Sequence, residues 1–168
     1  MSEGPIPTEP SSSANTKIFE AETTEHFSSV REMFEEYARS LNFDLGFQDF
    51  ASELTNLPGA YAAPNGCILL AAHEEQIVGC VALRRLDETV CEMKRLYVKS
   101  ELQGLGIGRN LAHAIILKAR VLGYKRMRLD TLSSMHAAKK LYTSLGFRSI
   151  EPYRYNPLPN ARFFELTL

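Results

Sequence analysis

The sequence predicts a mixed α/β (α+β) domain built on a mostly antiparallel sheet of six to seven strands, with helices on both faces. Three observations predict it. Apolar runs at Cys67–Ala72, Ile77–Leu86 and Thr89–Val98 are divided only by short polar turns, the pattern of an antiparallel meander. From Arg109 onward the apolar period changes to that of a helix, and helices alternate with strands, which makes the fourth and fifth strands parallel. Between these two regimes lies a glycine-rich stretch, Gln103-Gly-Leu-Gly-Ile-Gly108, running from a strand straight into an amphipathic helix.

The elements follow in order. Met1–Asn15 is rich in Pro and Ser and predicts a disordered tail, leaving residues 16–168 as one domain. Lys17–Ala21 fits a short first strand. Thr24 is the expected N-cap of a helix over Glu25–Ser40, in which Phe27, Val30, Phe34, Tyr37 and Leu41 recur at helical spacing. Phe47, Phe50 and Leu54 suggest a shorter second helix, stopped by Pro58-Gly59. After the meander, Arg109–Leu122 carries Leu111, Ala112, Ile115, Ile116 and Ala119 on one face and ends at Gly123. Arg126–Thr131 reads as a strand, Met135–Leu145 as a helix closed by Gly146, and Phe147–Glu151 with Arg162–Leu168 as a final strand pair.

Composition narrows the function. Charged residues are 23% and formal net charge is −1, so there is no basic excess to draw nucleic acid and no polybasic tract. No apolar run is long enough to cross a membrane, and the N-terminus has no signal-peptide character. The cysteines Cys67, Cys80 and Cys91 are odd in number and sit in apolar strands, which reads as free thiols in a reducing compartment, with a cytoplasmic protein as the default. Neither the cysteines nor the four scattered histidines have metal-ligand spacing.

Alternate glycines leave backbone N–H groups bare at the positive end of a helix, a geometry that holds a pyrophosphate. Two familiar loops are excluded. Gly104-Leu-Gly-Ile-Gly-Arg109 lacks the Gly-Lys-Ser/Thr end of a P-loop. The dinucleotide fingerprint wants G-x-G-x-x-G directly after its strand; here the spacing is G-x-G-x-G, and Asp130 stands only as a decoy for the ribose-binding acid.

Taken as a block, the C-terminal half resembles the GNAT superfamily of acetyl-CoA-dependent N-acetyltransferases. The loop signature Q/R-x-x-G-x-G/A is met by Gln103-Gly-Leu-Gly106-Ile-Gly108, the preceding strand by Leu96-Tyr97-Val98, and the later helix A-x-x-L-Y-x-x-x-G-F by Ala138-Lys-Lys-Leu141-Tyr142-Thr-Ser-Leu-Gly146-Phe147. Leu129–Met135 and Pro152–Pro157 resemble a bacterial-type small-molecule subgroup. The resemblance implies the GNAT fold, with splayed fourth and fifth strands, acetyl-CoA as cofactor and a small-molecule amine as acceptor; many family members are dimers, so a homodimer is compatible with it.

The same resemblance implies the site. Backbone groups of Leu96, Tyr97 and Val98 would pair with pantetheine, and Gln103, Gly104, Leu105, Gly106, Ile107, Gly108 and Arg109 would hold the pyrophosphate. Met135 stands where many family members carry a cofactor-contacting Asn, so that contact is either lost or supplied otherwise, with Ser134 the candidate. Tyr142 is the candidate general acid for the leaving thiolate, by proton transfer or by hydrogen bonding alone; a core tyrosine is the plainer alternative. Glu92, a lone carboxylate in an apolar strand with the parity of Leu96 and Val98, is the candidate base, with a raised pKa expected from burial; a salt bridge to Lys94 or Arg84 is the alternative. Tyr153, Tyr155 and Asn156 are candidate walls of the acceptor site, and Phe43–Phe50 a candidate lid or an apolar anchor. Lys139 and Lys140 read as a solvated helix face, with neutralisation of the cofactor phosphates as the alternative, and Asn110, His113 and His136 as ordinary helix positions. No cysteine falls in the loop or the tyrosine helix, which favours direct transfer over a thiol intermediate. A protein or peptide amine acceptor, or a non-catalytic acyl-CoA sensor on the same fold, are the rival readings.

Overall fold

The computed structural model describes residues 15–168; the expected tail falls, apart from Asn15, outside them. β1 (Thr16–Glu20) leads into α1 (Thr24–Ser40). The cap is Thr23, one residue before the expected Thr24. Its hydroxyl accepts from the His26 N–H at 3.1 Å, and the His26 ring accepts from the Thr23 N–H at 3.3 Å, a reciprocal box that satisfies two otherwise unpartnered donors. The second helix splits into a 3-10 turn (Gly46–Gln48) and α2 (Phe50–Thr55), because Asp49 between them takes a left-handed φ of 54°.

β2 (Cys67–His73), β3 (Gln76–Arg85) and β4 (Val90–Val98) form the expected meander. Then come α3 (Ile107–Val121), β5 (Arg126–Leu132), α4 (His136–Ser144), β6 (Arg148–Ile150) and β7 (Ala161–Thr167). One seven-stranded sheet results, in the order β1-β2-β3-β4-β5-β7-β6, and only β4–β5 is parallel. Leu111, Ala112 and Ile115 of α3 bury one face against Leu69, Val81, Leu83, Met93 and Met127. Val30, Met33 and Phe34 of α1 cover the other against Ile68, Leu70, Cys80 and Ala82. Each fully buried aliphatic or aromatic side chain contributes about 1.5–3 kcal/mol, so the two layers hold the sheet from both sides.

Two irregularities in β4 position the site. Its pairing with β5 holds only at Val90↔Arg126, Cys91↔Met127 and Glu92↔Arg128; beyond that the strands part. On its other edge the register slips between Cys80↔Tyr97 and Ala82↔Lys94, so Arg95 and Leu96 together oppose Val81. Arg95 is the bulged residue, with φ 60°. A one-residue bulge reverses side-chain parity beyond it. Cys91 and Met93 belong to the α3-side core while Lys94 and Arg95 reach Gln48 and Glu53 on the α2 side, and after the bulge Leu96 and Val98 return to the α3 side. The expectation that Glu92 shares the face of Leu96 and Val98 is therefore corrected.

Candidate active site

The loop after β4 is shaped by backbone conformation. Gly104 and Gly106 take φ of 87° and 85°, where an L side chain is strained, and a Cβ on either would meet nothing within 4 Å. The glycines thus serve the turn, and the space in front of them is open. Gly106 is the N-cap of α3 and offers no side-chain cap, so the first N–H groups of the helix point outward unpartnered by it, at the positive end of the dipole. Gln103 pins the loop by donating from its amide to the Val98 carbonyl at 3.0 Å. Leu105 packs against the core and gives the loop its backbone alone.

A groove of about 670 Å³ runs from this loop along the free edge of β4 to the start of α4, within the ~300–1,000 Å³ usual for ligand sites. Leu96, Tyr97 and Val98 form one wall, Gly104, Gly106, Ile107 and Gly108 the end, and Ser134, His136 and Leu141 the other wall. Arg109 also borders it, its guanidinium donating to the Ser144 hydroxyl of α4 at 2.7 Å. Bare N–H groups with an arginine beside them fit a diphosphate, and an unpaired strand edge fits a chain of amides. Coenzyme A has both.

A second, smaller cavity of about 90 Å³ fills the splay between β4 and β5. The groove and this pocket share Tyr37, Leu96, Met135 and Ala138, so they meet at one point. Tyr142 lines the pocket. It is 8% exposed, packed edge-on against Phe147 at 5.7 Å and tilted on Phe164 at 6.4 Å. Burial pushes its phenol above the ordinary value, with Tyr37 and Asp130 adding to the shift, so it stays protonated at neutral pH. Among the described residues no hydrogen-bond partner holds its hydroxyl, and the proton is free to meet a ligand.

The charged groups differ from expectation. Glu92 is wholly buried and lines neither cavity. It accepts from Arg84 Nε at 2.8 Å, Tyr153 Oη at 2.5 Å and Arg154 Nη1 at 3.1 Å. Burial works to raise its pKa, but Lys94, Arg84, Arg154 and the Tyr153 hydrogen bond outweigh it and hold the carboxyl below its ordinary value. The raised pKa expected of a base is thus overturned, and the ion-pair alternative describes its contacts. Lys94, 7% exposed, lines the pocket. It donates to Gln48 Oε1 at 3.1 Å, while Glu92 stands 3.9 Å away. Burial and the neighbouring Arg95 push Lys94 down to about 7, against the opposing pull of Glu92. Arg95 is fully engaged: it donates to Glu53 at 2.9 and 3.2 Å and lies over the rings of Phe50 and Tyr37. Asp130, half-buried on the β5 wall, accepts from Asn156 Nδ2 at 3.1 Å and has no ion-pair partner among the described residues.

The remaining candidates sort by place. Phe43, Leu45 and Phe47 roof the pocket, whereas Phe50 anchors beneath Arg95. Asn156 walls the pocket; Tyr153 is spent on Glu92, and Tyr155 is exposed. Met135 borders both cavities, and its Sδ accepts from Thr131 Oγ1 at 3.5 Å. His136, read as an ordinary helix residue, borders the groove; Lys139, Lys140, Asn110 and His113 border neither cavity. Sequence reasoning missed Lys94 and Asp130 as pocket residues. The available signal was Lys94-Arg95 itself, two successive cations inside an otherwise apolar strand.

Comparison with known proteins follows the same lines. The profile of the acetyltransferase (GNAT) family matches residues 24–147. An uncharacterized N-acetyltransferase of Schizosaccharomyces pombe is 37% identical over 157 residues, 92% of this chain and 96% of that protein. An acetyltransferase from Streptococcus agalactiae shares the fold with a TM-score of 0.75 at 22% identity, over 92% of this chain and 99% of its own. A GNAT family acetyltransferase from Elizabethkingia anophelis, solved with acetyl-CoA bound, does so with a TM-score of 0.62 at 22% identity, over the same shares of the two chains. Among the described residues no helix is long and apolar enough to cross a membrane.

Proposed function

The chain belongs to the GNAT family of acetyltransferases, and from that premise we propose that it moves an acetyl group directly from acetyl-CoA to the primary amine of a small molecule. The observation that carries this reading is the meeting of the glycine-loop groove with the Tyr142 pocket in the gap between β4 and β5. When bound, acetyl-CoA supplies an activated acetyl thioester. The residues of the chain do the rest. N–H groups from Gly104 to Arg109 hold the diphosphate, and the free edge of Leu96, Tyr97 and Val98 aligns the pantetheine amides. A backbone N–H of that edge polarises the reacting carbonyl. Tyr142 would donate to the sulfur as the C–S bond breaks and the C–N bond forms, the proton shed by the amine balancing the one the thiol gains; its elevated pKa keeps the donor loaded. Glu92 acts as the counter-ion that gathers Arg84, Lys94, Arg154 and Tyr153 behind the pocket.

The roofed pocket of about 90 Å³ favours a small amine over a protein segment. Direct transfer is supported by the cysteines: burial pushes Cys67 and Cys91 up to about 12, and none of the three lines either cavity. Their unpaired state also supports a reducing, cytoplasmic setting. Calorimetry with acetyl-CoA, followed by thiol release across an amine panel in wild type and Tyr142→Phe, tests the reading. Micromolar acetyl-CoA binding with amine-dependent release is expected; a folded protein that ignores coenzyme A and binds a nicotinamide or adenine nucleotide overturns it.

A further inference from the structure

The pocket in the splay contains one cation and one anion whose partners are incomplete. An ammonium has three donors. Lys94 places one on Gln48, and Glu92 at 3.9 Å lies beyond hydrogen-bond reach, its own oxygens taken by Arg84, Arg154 and Tyr153. A lysine whose side chain is 4% exposed, with three guanidinium groups nearby, is short of negative charge. On the opposite strand, Asp130 has a neutral amide as its hydrogen-bond partner and, among the described residues, no ion-pair cation. The other charges nearby are spent: Arg95 is held by Glu53, and Arg154 by Glu92.

We propose that the acceptor is a small amino acid that enters as its zwitterion, with its carboxylate on Lys94 and its amino group against Asp130, whose carboxylate takes one ammonium proton so that a free amine faces the point where pocket and groove meet. This rests on the acetyltransferase reading above and names its acceptor class. A simple amine would satisfy Asp130 and leave two of the three Lys94 donors without an acceptor, with Glu92 at 3.9 Å shared among Lys94, Arg84 and Arg154. A peptide N-terminus would bring an amide in place of the carboxylate, offering Lys94 a neutral oxygen in place of an anion. A carboxylate supplies two acceptor oxygens to the group that lacks them, and binding it raises the affinity of Lys94 for its proton.

The test is acetyl transfer by the full-length protein to matched triplets: each amino acid, its amide and its decarboxylated amine, with calorimetry on acetyl-CoA run separately. At least one free amino acid is expected to exceed its amide and amine by 100-fold or more in kcat/KM. Lys94→Met is expected to raise the KM for that amino acid at least 10-fold, to leave the KM for acetyl-CoA unchanged, and to narrow the gap to the amide. Lys94→Met replaces a desolvated charge by an apolar chain of similar length, and unchanged acetyl-CoA binding reports that the variant is folded. Acetyl-CoA binding without preference for free amino acids, whether amides and amines serve equally or no amino acid is accepted, overturns this inference alone. Failure to bind acetyl-CoA overturns the function beneath it.

Discussion

The groove and the pocket are built by different means, although they touch. One wall and the end of the groove are made of backbone, a left-handed glycine loop, the uncapped start of α3 and the unpaired edge of β4, contiguous in sequence from Leu96 to Arg109, while α4 closes the far side. The pocket is made of side chains drawn from α1, the turn before α2, β4, β5, α4 and the β6–β7 connection. Backbone recognition of an invariant ligand is written locally. On the function proposed above, recognition of the acceptor depends on which side chains the topology brings together, so it can change while the groove stays as it is.

Substitutions that separate the two regions sharpen this contrast. Tyr142→Phe is expected to lower kcat by about 10²–10⁴ with acetyl-CoA affinity retained; an unaltered kcat in stopped-flow thiol release would reduce Tyr142 to a core residue. Glu92→Gln leaves Arg84, Arg154 and Lys94 around a neutral amide, and urea unfolding is expected to show a loss of about 3–5 kcal/mol. If instead stability holds and the acidic limb of the kcat/KM profile disappears, Glu92 is a base after all. Gly106→Ala forces a side chain onto a φ of 85°, a cost of roughly 1–2 kcal/mol, seen as about tenfold weaker acetyl-CoA binding by calorimetry and an unchanged acceptor KM. An equal rise in both constants would mean that the regions are not separable.

The smallest effect is one of pH. Lys94 sits at about 7 in the folded protein against 10.5 for the free side chain. Between those values the unfolded chain binds more protons, so this group makes stability rise with pH from about 7, by up to about 1.4 kcal/mol per unit. Melting curves at pH 7 and 9 are expected to show Lys94→Met gaining most over wild type at the lower pH.

What could be read in the sequence divides along the same boundary. The meander, both amphipathic helices and the glycine loop are local periodicities or local backbone requirements, and they lie where the residues predict. The split before α2 was hidden because Asp49, not a glycine, takes the left-handed turn. The bulge at Arg95 was hidden for a similar reason: Val-Cys-Glu-Met-Lys-Arg-Leu-Tyr-Val reads as one strand, and nothing in it announces a reversal of face. That reversal separated Glu92 from Leu96 and Val98. That Lys94 and Asp130 line one pocket follows only when β4 and β5 become neighbours, a property of the sheet order and not of either segment.

The bulge also has a mechanical consequence. Arg95 is clamped to Glu53 of α2, which in turn receives the Tyr61 hydroxyl at 2.8 Å. The helix that follows the pocket roof is thereby riveted to the distorted strand that bounds the groove. Lengthening or shortening the connector between α1 and α2 would tug on this rivet, so a lineage that remodels the roof must keep the arginine–glutamate clamp or rebuild the strand along with it.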